Sequence, residues 1–133
     1  MGGNVSDRYD EIRAAMPAGL EKRVLHILSG HKGGENRIVR IDLVRQALNI
    51  YSDDEVSETD DRMVREAIAN LRHEGHLVCS DSGAGGYYIA GSYNDVVRMT
   101  AELESRAKDM LEQSRMLKRR AMEWFGPQLK MNI

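Results

Sequence analysis

The sequence predicts a mainly α fold with a small β-hairpin wing and a long C-terminal helix. Three observations carry this expectation. Residues 59–90 read TDDRMVREAIANLRHEGHLVCSDSGAGGYYIA: a charged amphipathic helix ending at Glu74-Gly75, a short apolar strand Leu77-Val78-Cys79, a turn over Asp81–Gly86 and a second strand Tyr87-Tyr88-Ile89-Ala90. Two shorter stretches with helical spacing of apolar residues precede it. A segment without Gly or Pro follows, long enough for a helix of about thirty residues, roughly 45 Å at 1.5 Å per residue. Helices followed by strand, glycine-rich turn and strand give the order of a winged helix-turn-helix domain, expected over residues 18–91.

Residues 1–17 are mostly polar and are expected to be flexible or weakly helical, with one helical turn expected around Tyr9–Met16 that Pro17 would break. From there Leu20, Val24, Leu25, Ile27 and Leu28 line one helical face, and Gly30 and Gly33-Gly34 stop it. The β-branched run Arg37-Ile38-Val39-Arg40-Ile41 reads as a first small strand. Asp42 is a good N-cap for a second helix carrying Leu43, Val44, Ala47 and Leu48, which Asn49 ends. Residues 50–58 form an acidic loop, longer than a minimal helix-turn-helix turn. Ser57 or Thr59 caps the third helix, and Ser57 with Asp60 approximates a capping box. That helix buries Val64, Ala67, Ile68 and Leu71 and ends at Gly75, a favourable C′ residue.

Ser92 caps the last helix, expected over 92–125, with Gly126-Pro127 ending it and 126–133 left as a tail. Val96, Leu103, Met110, Leu117 and Trp124 recur every seven residues, and Thr100, Ala107, Ser114 and Ala121 lie four residues after the first four of them. A strict period of seven is coiled-coil-like. A core of this size cannot cover such a helix, so the stripe is expected to make a homodimer with a second copy. The alternative is a helix whose first half packs on its own domain and whose second half frays.

The 133 residues suit one domain with an appendage, and 41% apolar content is enough for one modest core. Charged residues make up 30% and aromatics 5%, with a net charge of −2. A sequence-independent DNA coater would be basic, so any nucleic-acid surface is a local patch. The lone Cys79 excludes an intramolecular disulfide and fits a reducing compartment. No apolar run is long enough for a membrane span and no signal peptide opens the chain, so a cytoplasmic location and no membrane partner are expected. The opening Met1-Gly2-Gly3-Asn4-Val5-Ser6 matches the short N-myristoylation pattern, which also reads as a flexible polar start.

The third helix is the candidate recognition helix. Opposite its apolar face lie Arg62, Glu66, Ala69 and His73, with Arg65 and Arg72 at one edge and Asn70 at the other. Arg and Asn read guanine and adenine edges bidentately, and Arg neutralises phosphate. Arg40 and Arg45 are candidate backbone contacts from the preceding segment. A solvated helix face explains the same charges; Asp60, Asp61 and Glu66 favour that explanation because carboxylates repel phosphate, although acids in a first turn also complement the helix dipole. The wing tip carries no cation, where a DNA-binding wing often presents one. Arg115, Lys118, Arg119 and Arg120 form a basic block that complements the C-terminal dipole or contacts a partner.

Other chemistry has little support. Gly83-Ala84-Gly85-Gly86 lacks the GK[ST] ending and the strand-to-helix placement of a nucleotide loop. His73, His76 and Cys79 are regularly spaced, but a structural zinc needs a fourth ligand, so Cys79 reads as a core residue and no metal or other cofactor is expected. No nucleophile–base arrangement or apolar carboxylate pair suggests an enzyme.

The string Arg62-x-Val64-Arg65-x-Ala67-Ile68-x-x-Leu71-Arg72-x-x-Gly75-x-x-Val78-Cys79-Ser80, then Gly86-Tyr87-Tyr88-Ile89-Ala90 and Leu103-Glu104-Ser105-Arg106, resembles small winged helix-turn-helix proteins of bacteriophages and prophages. The resemblance covers about residues 20–110. It implies a recognition helix at 59–75, a wing at 77–90, and sequence-specific double-stranded DNA binding as a transcriptional regulator or replication accessory. The acidic insertion at 50–58 and the uncharged wing depart from the family pattern. A protein-interaction module on the same scaffold, without DNA binding, is the alternative expectation.

Overall fold

The computed structural model describes residues 19–81, 83 and 85–131, with side chains described as far as Gly126. The turn expected around Tyr9–Met16, Pro17, the myristoylation-like start and the last two residues lie outside the described part. Helix α1 spans Leu20–Leu28 and helix α2 Arg40–Leu48, with a 3-10 turn at Gly34–Asn36 between them. Helix α3 spans Glu58–His73, strands β1 and β2 are Val78–Ser80 and Tyr87–Ile89, and helix α4 runs over Tyr93–Met131. The chain is thus mainly helical, with a small two-stranded antiparallel sheet and a long C-terminal helix.

The core forms where the apolar stripes of three helices meet. Val24, Leu25 and Leu28 of α1 pack with Leu43, Val44 and Ala47 of α2 and with Val64, Ala67, Ile68 and Leu71 of α3. Ile38, Val78 and Ile89 close the same cluster from the hairpin side. Every one of these side chains is at least 96% buried, with Ile38 the most exposed at 4%. Each is an aliphatic residue whose transfer from water is worth up to a few kcal/mol, so they dominate the stability of this part.

Helix ends follow local chemistry. The Ser57 hydroxyl accepts from the Asp60 amide at 3.1 Å and the Asp60 carboxylate accepts from the Ser57 amide at 3.0 Å, a complete capping box, so Ser57 rather than Thr59 is the cap. At the other end Gly75 adopts φ +91°, His76 donates to Leu71 at 3.0 Å and Gly75 to Arg72 at 2.9 Å. These are the paired bonds of a Schellman motif, which needs the left-handed residue that glycine supplies most cheaply. Asn49 ends α2 in the same conformation, at φ 55°.

Two expectations are corrected around residue 40. Arg37–Ile41 is not a strand: Ile38 alone pairs with Tyr87, each donating to the other's carbonyl at 2.9 Å. Helix α2 then begins at Arg40 behind Val39, so Asp42 sits in the first turn and is not the N-cap. β-branched residues favour extended backbone locally, but the ladder offers a partner to one residue only, and beyond it the gain of α2 packing takes over. Lys32 also bridges Ile89, in parallel, so β2 is bonded on both sides. The hairpin itself is in register at Val78↔Ile89, Cys79↔Tyr88 and Ser80↔Tyr87.

The Ser92 hydroxyl accepts from the Asp95 amide at 3.3 Å, and the buried Asp95 carboxylate accepts from the Gly91 amide at 2.9 Å, which fixes the start of α4. The helix does not stop at Trp124 but continues through Gly126-Pro127 to Met131. Proline clashes with the Cβ and amide of the residue before it. That residue here is Gly126, which has no Cβ, so one of the clashes that usually ends a helix before proline is absent. The chain divides into two compact units between Val97 and Arg98, inside this helix. No helix among the described residues is long and apolar enough to cross a membrane.

Candidate nucleic-acid interface

The inward stripe of α3 fixes what its other side offers. Arg62, Met63, Arg65, Glu66, Ala69, Asn70 and His73 are exposed. The acidic first turn is largely spent on structure. Asp60 serves the capping box, and Asp61 bridges two arginines: its carboxylate lies 3.1 Å from Arg40 Nε and 2.8 Å from Arg65 Nε. Arg40 stands at the start of α2 and Arg65 one turn along α3, so Asp61 gathers cations from two helices onto one surface. Both arginines are about half exposed, at 56% and 49%. Ion pairs this open are worth about 0–1 kcal/mol and are readily exchanged for a phosphate. Arg40, Ile41, Val56, Ser57 and Glu58 border the same shallow cleft with Asp61 and Arg65.

Three of the residues expected to contact DNA, Arg72 and Asn70 in the groove and Arg45 on the backbone, instead make contacts within the domain. Arg72 donates from Nε to the Val78 carbonyl at 2.9 Å and from Nη2 to the Ser80 hydroxyl at 3.2 Å, so its guanidinium locks the hairpin to α3. Arg45 donates from Nη1 to the carbonyls of Tyr51 at 2.6 Å and Asp54 at 2.7 Å, folding the acidic loop against α2. Asn70 donates to Glu21 Oε1 at 3.1 Å, which links α3 to α1. Arg40, Arg62, Arg65, Ala69 and His73 remain on the exposed surface, with Arg40 and Arg65 brought together by Asp61.

From the sequence Asp61 reads as a phosphate-repelling carboxylate and a dipole complement, not as the partner of two arginines. Its i,i+4 spacing to Arg65 was a legible signal; Arg40, reached across α2, carried none.

The turn between β1 and β2 is closed by its own backbone. Asp81 donates to Gly86 at 3.2 Å, Gly85 donates to Asp81 at 2.8 Å, and the Asp81 carboxylate accepts from the Gly83 amide at 2.9 Å. The carboxylate that flanks the tip thereby helps shape the turn.

His73, His76 and Cys79 take separate places. His73 is exposed, His76 Nε2 lies 3.4 Å from the Glu74 carboxylate, and Cys79 is buried with Sγ 3.9 Å from the carbonyls of Leu77 and Asp95. Among the described residues no three His, Cys, Asp or Glu side chains gather as a metal site.

In the second unit Arg120 pairs with Glu123 at 3.3 Å and lies over the Trp124 ring, 5.6 Å from its centroid. No protein-family model, curated protein or solved structure matches the chain.

Proposed function

We propose that residues 18–91 form a winged helix-turn-helix domain that binds duplex DNA sequence-specifically, as a transcriptional regulator or replication accessory. The observation that carries this reading is the cation surface of α3. Arg62 and Arg65 project from its exposed side, and Asp61 holds Arg40 beside Arg65. The order of elements supports it as well: α3 is directly followed by a hairpin and tied to it by Arg72. In this reading α3 enters the major groove, Arg62 and Arg65 face bases or phosphates, Ala69 lets the helix approach closely, and Arg40 contacts the backbone. The neutral wing contributes backbone amides at most, so affinity comes from α3 and the start of α2.

The test is fluorescence anisotropy of the full chain against duplex fragments at several salt concentrations, followed by selection of a preferred site. Binding should weaken steeply with salt, and Arg62→Ala with Arg65→Ala should reduce affinity by at least about tenfold and lower the salt slope by about two. Wild-type binding that the double variant leaves unchanged would refute the assignment of α3.

One observation favours a protein partner at the same surface: Ile41 is 48% exposed and borders the arginine cleft together with Val56. An absence of DNA binding even at low salt would select this second reading.

A further inference from the structure

We infer that the C-terminal helix pairs with a second copy of itself in an antiparallel arrangement, in the register that sets Leu103 level with Ala121 of the second copy. From Leu103 onward the large residues of the heptad stripe stand in solvent: Leu103 is 41% exposed, and Met110, Leu117 and Trp124 are 67%, 72% and 66% exposed. The occupant of this stripe is specified by its alternation. One seam position is large (Leu103, Met110, Leu117) and the other is small (Ala107, Ser114, Ala121).

A parallel pair stacks like on like. It would set Leu117 against Leu117 in one layer and Ala107 against Ala107 in another, and the leucine layers would hold the helices at a spacing that leaves a void at the alanines. An antiparallel pair sets a large residue on a small one in every layer: Leu103 on Ala121, Leu117 on Ala107, Met110 on Ser114. That interdigitation is what close packing requires.

The flanking charges select the same arrangement. The register that seats Leu103 on Ala121 also brings Glu104 level with Lys118 of the second copy, twice by symmetry, and meets Leu111 with its own copy at the two-fold axis. A parallel pair would face Glu104 with Met99 and Lys118 with Gln113, with no charge matched. A slip of one heptad in either direction would face Glu104 with Leu111 or Phe125. On the other flank Arg106 comes level with Arg120, whose charge is already met by Glu123 on its own helix. Opposite charges at matched flanking positions set partner and orientation in such pairs.

The test uses the full chain without DNA, so it is independent of the proposed function. Leu103→Cys and Ala121→Cys are made separately and oxidised alone and as an equimolar mixture, and free thiols are alkylated before unfolding. Cys79 is buried and is left in place. The mixture should yield a disulfide between positions 103 and 121, each variant alone should stay largely unlinked, and sedimentation should report a dimer. Glu104→Lys should weaken the dimer about tenfold, and adding Lys118→Glu should restore it. Self-linking of each variant alone would establish a parallel pair, and a monomer at high micromolar concentration would remove the pairing. Failure of Lys118→Glu to restore the dimer would overturn the register.

Discussion

Arg72 Nε lies 2.9 Å from the carbonyl oxygen of Val78, and this bond joins the last turn of α3 to the first residue of β1. With the second bond to Ser80 the guanidinium spans the strand, a use of its planar fork that lysine cannot reproduce. Arg72→Ala should therefore destabilise the domain by about 1.5–3 kcal/mol, the usual worth of hydrogen bonds from a charged group, and Arg72→Lys should recover little of it. Urea or thermal unfolding followed by circular dichroism measures both. An unchanged midpoint would mean that apolar packing and the backbone bridges at Tyr87 and Ile89 hold the hairpin without the guanidinium.

Gly86 tests the close approach between the hairpin and residue 38. It adopts φ +134°, and a Cβ built there would stand 2.7 Å from the Ile38 carbonyl oxygen. Gly86→Ala should push Ile38 off Tyr87 and cost about 1–3 kcal/mol, with faster hydrogen exchange at both amides. Gly85, at φ +71° with nothing within 4 Å of its Cβ position, isolates the dihedral cost. Its replacement by alanine should cost about 1 kcal/mol and leave the bridge protected. Equal protection loss in the two variants would remove the steric explanation.

Asp61 restrains the two arginines that the DNA reading requires. Asp61→Asn should change stability by no more than about 1 kcal/mol, because both ion pairs are open to solvent. It should tighten DNA binding at low salt, since a carboxylate beside the phosphates is removed and Arg40 and Arg65 are released. A steeper dependence of affinity on salt, by about one to two in slope, is the expected signature. Weaker binding by this variant would instead show that Asp61 is needed to hold the arginines in place.

Local features of the chain are legible in its sequence. The capping box at Ser57 and Asp60, the Gly75 terminus, the Asn49 terminus and the Ser92 cap each involve residues within five positions of one another, so sequence spacing specifies them. The buried faces of α1, α2 and α3 follow the helical repeat for the same reason. Three locally reasoned boundaries failed, among them the N-cap at Asp42, which lies in the first turn of α2. Ile38 finds one ladder partner instead of a strand, and Gly126-Pro127 lies inside the helix it was expected to end. Each boundary is a contest between local preference and what the neighbouring backbone permits.

The amino-acid sequence by itself determined the helical character, the apolar faces, the hairpin with its glycine turn and the seven-residue stripe of the last helix, because these are periodic or local properties. Only tertiary structure decided the work of the polar residues. Arg72, Arg45 and Asn70 share a helix surface or composition with Arg62 and Arg65, yet the first three are bound to Val78, to the 51–54 loop and to Glu21, the last 49 residues away. A guanidinium or amide bonds with whatever the fold brings within about 3 Å, and that proximity is set by how the chain folds back after each helix and, for Asn70, by packing of α3 on α1, neither of which follows from helical periodicity.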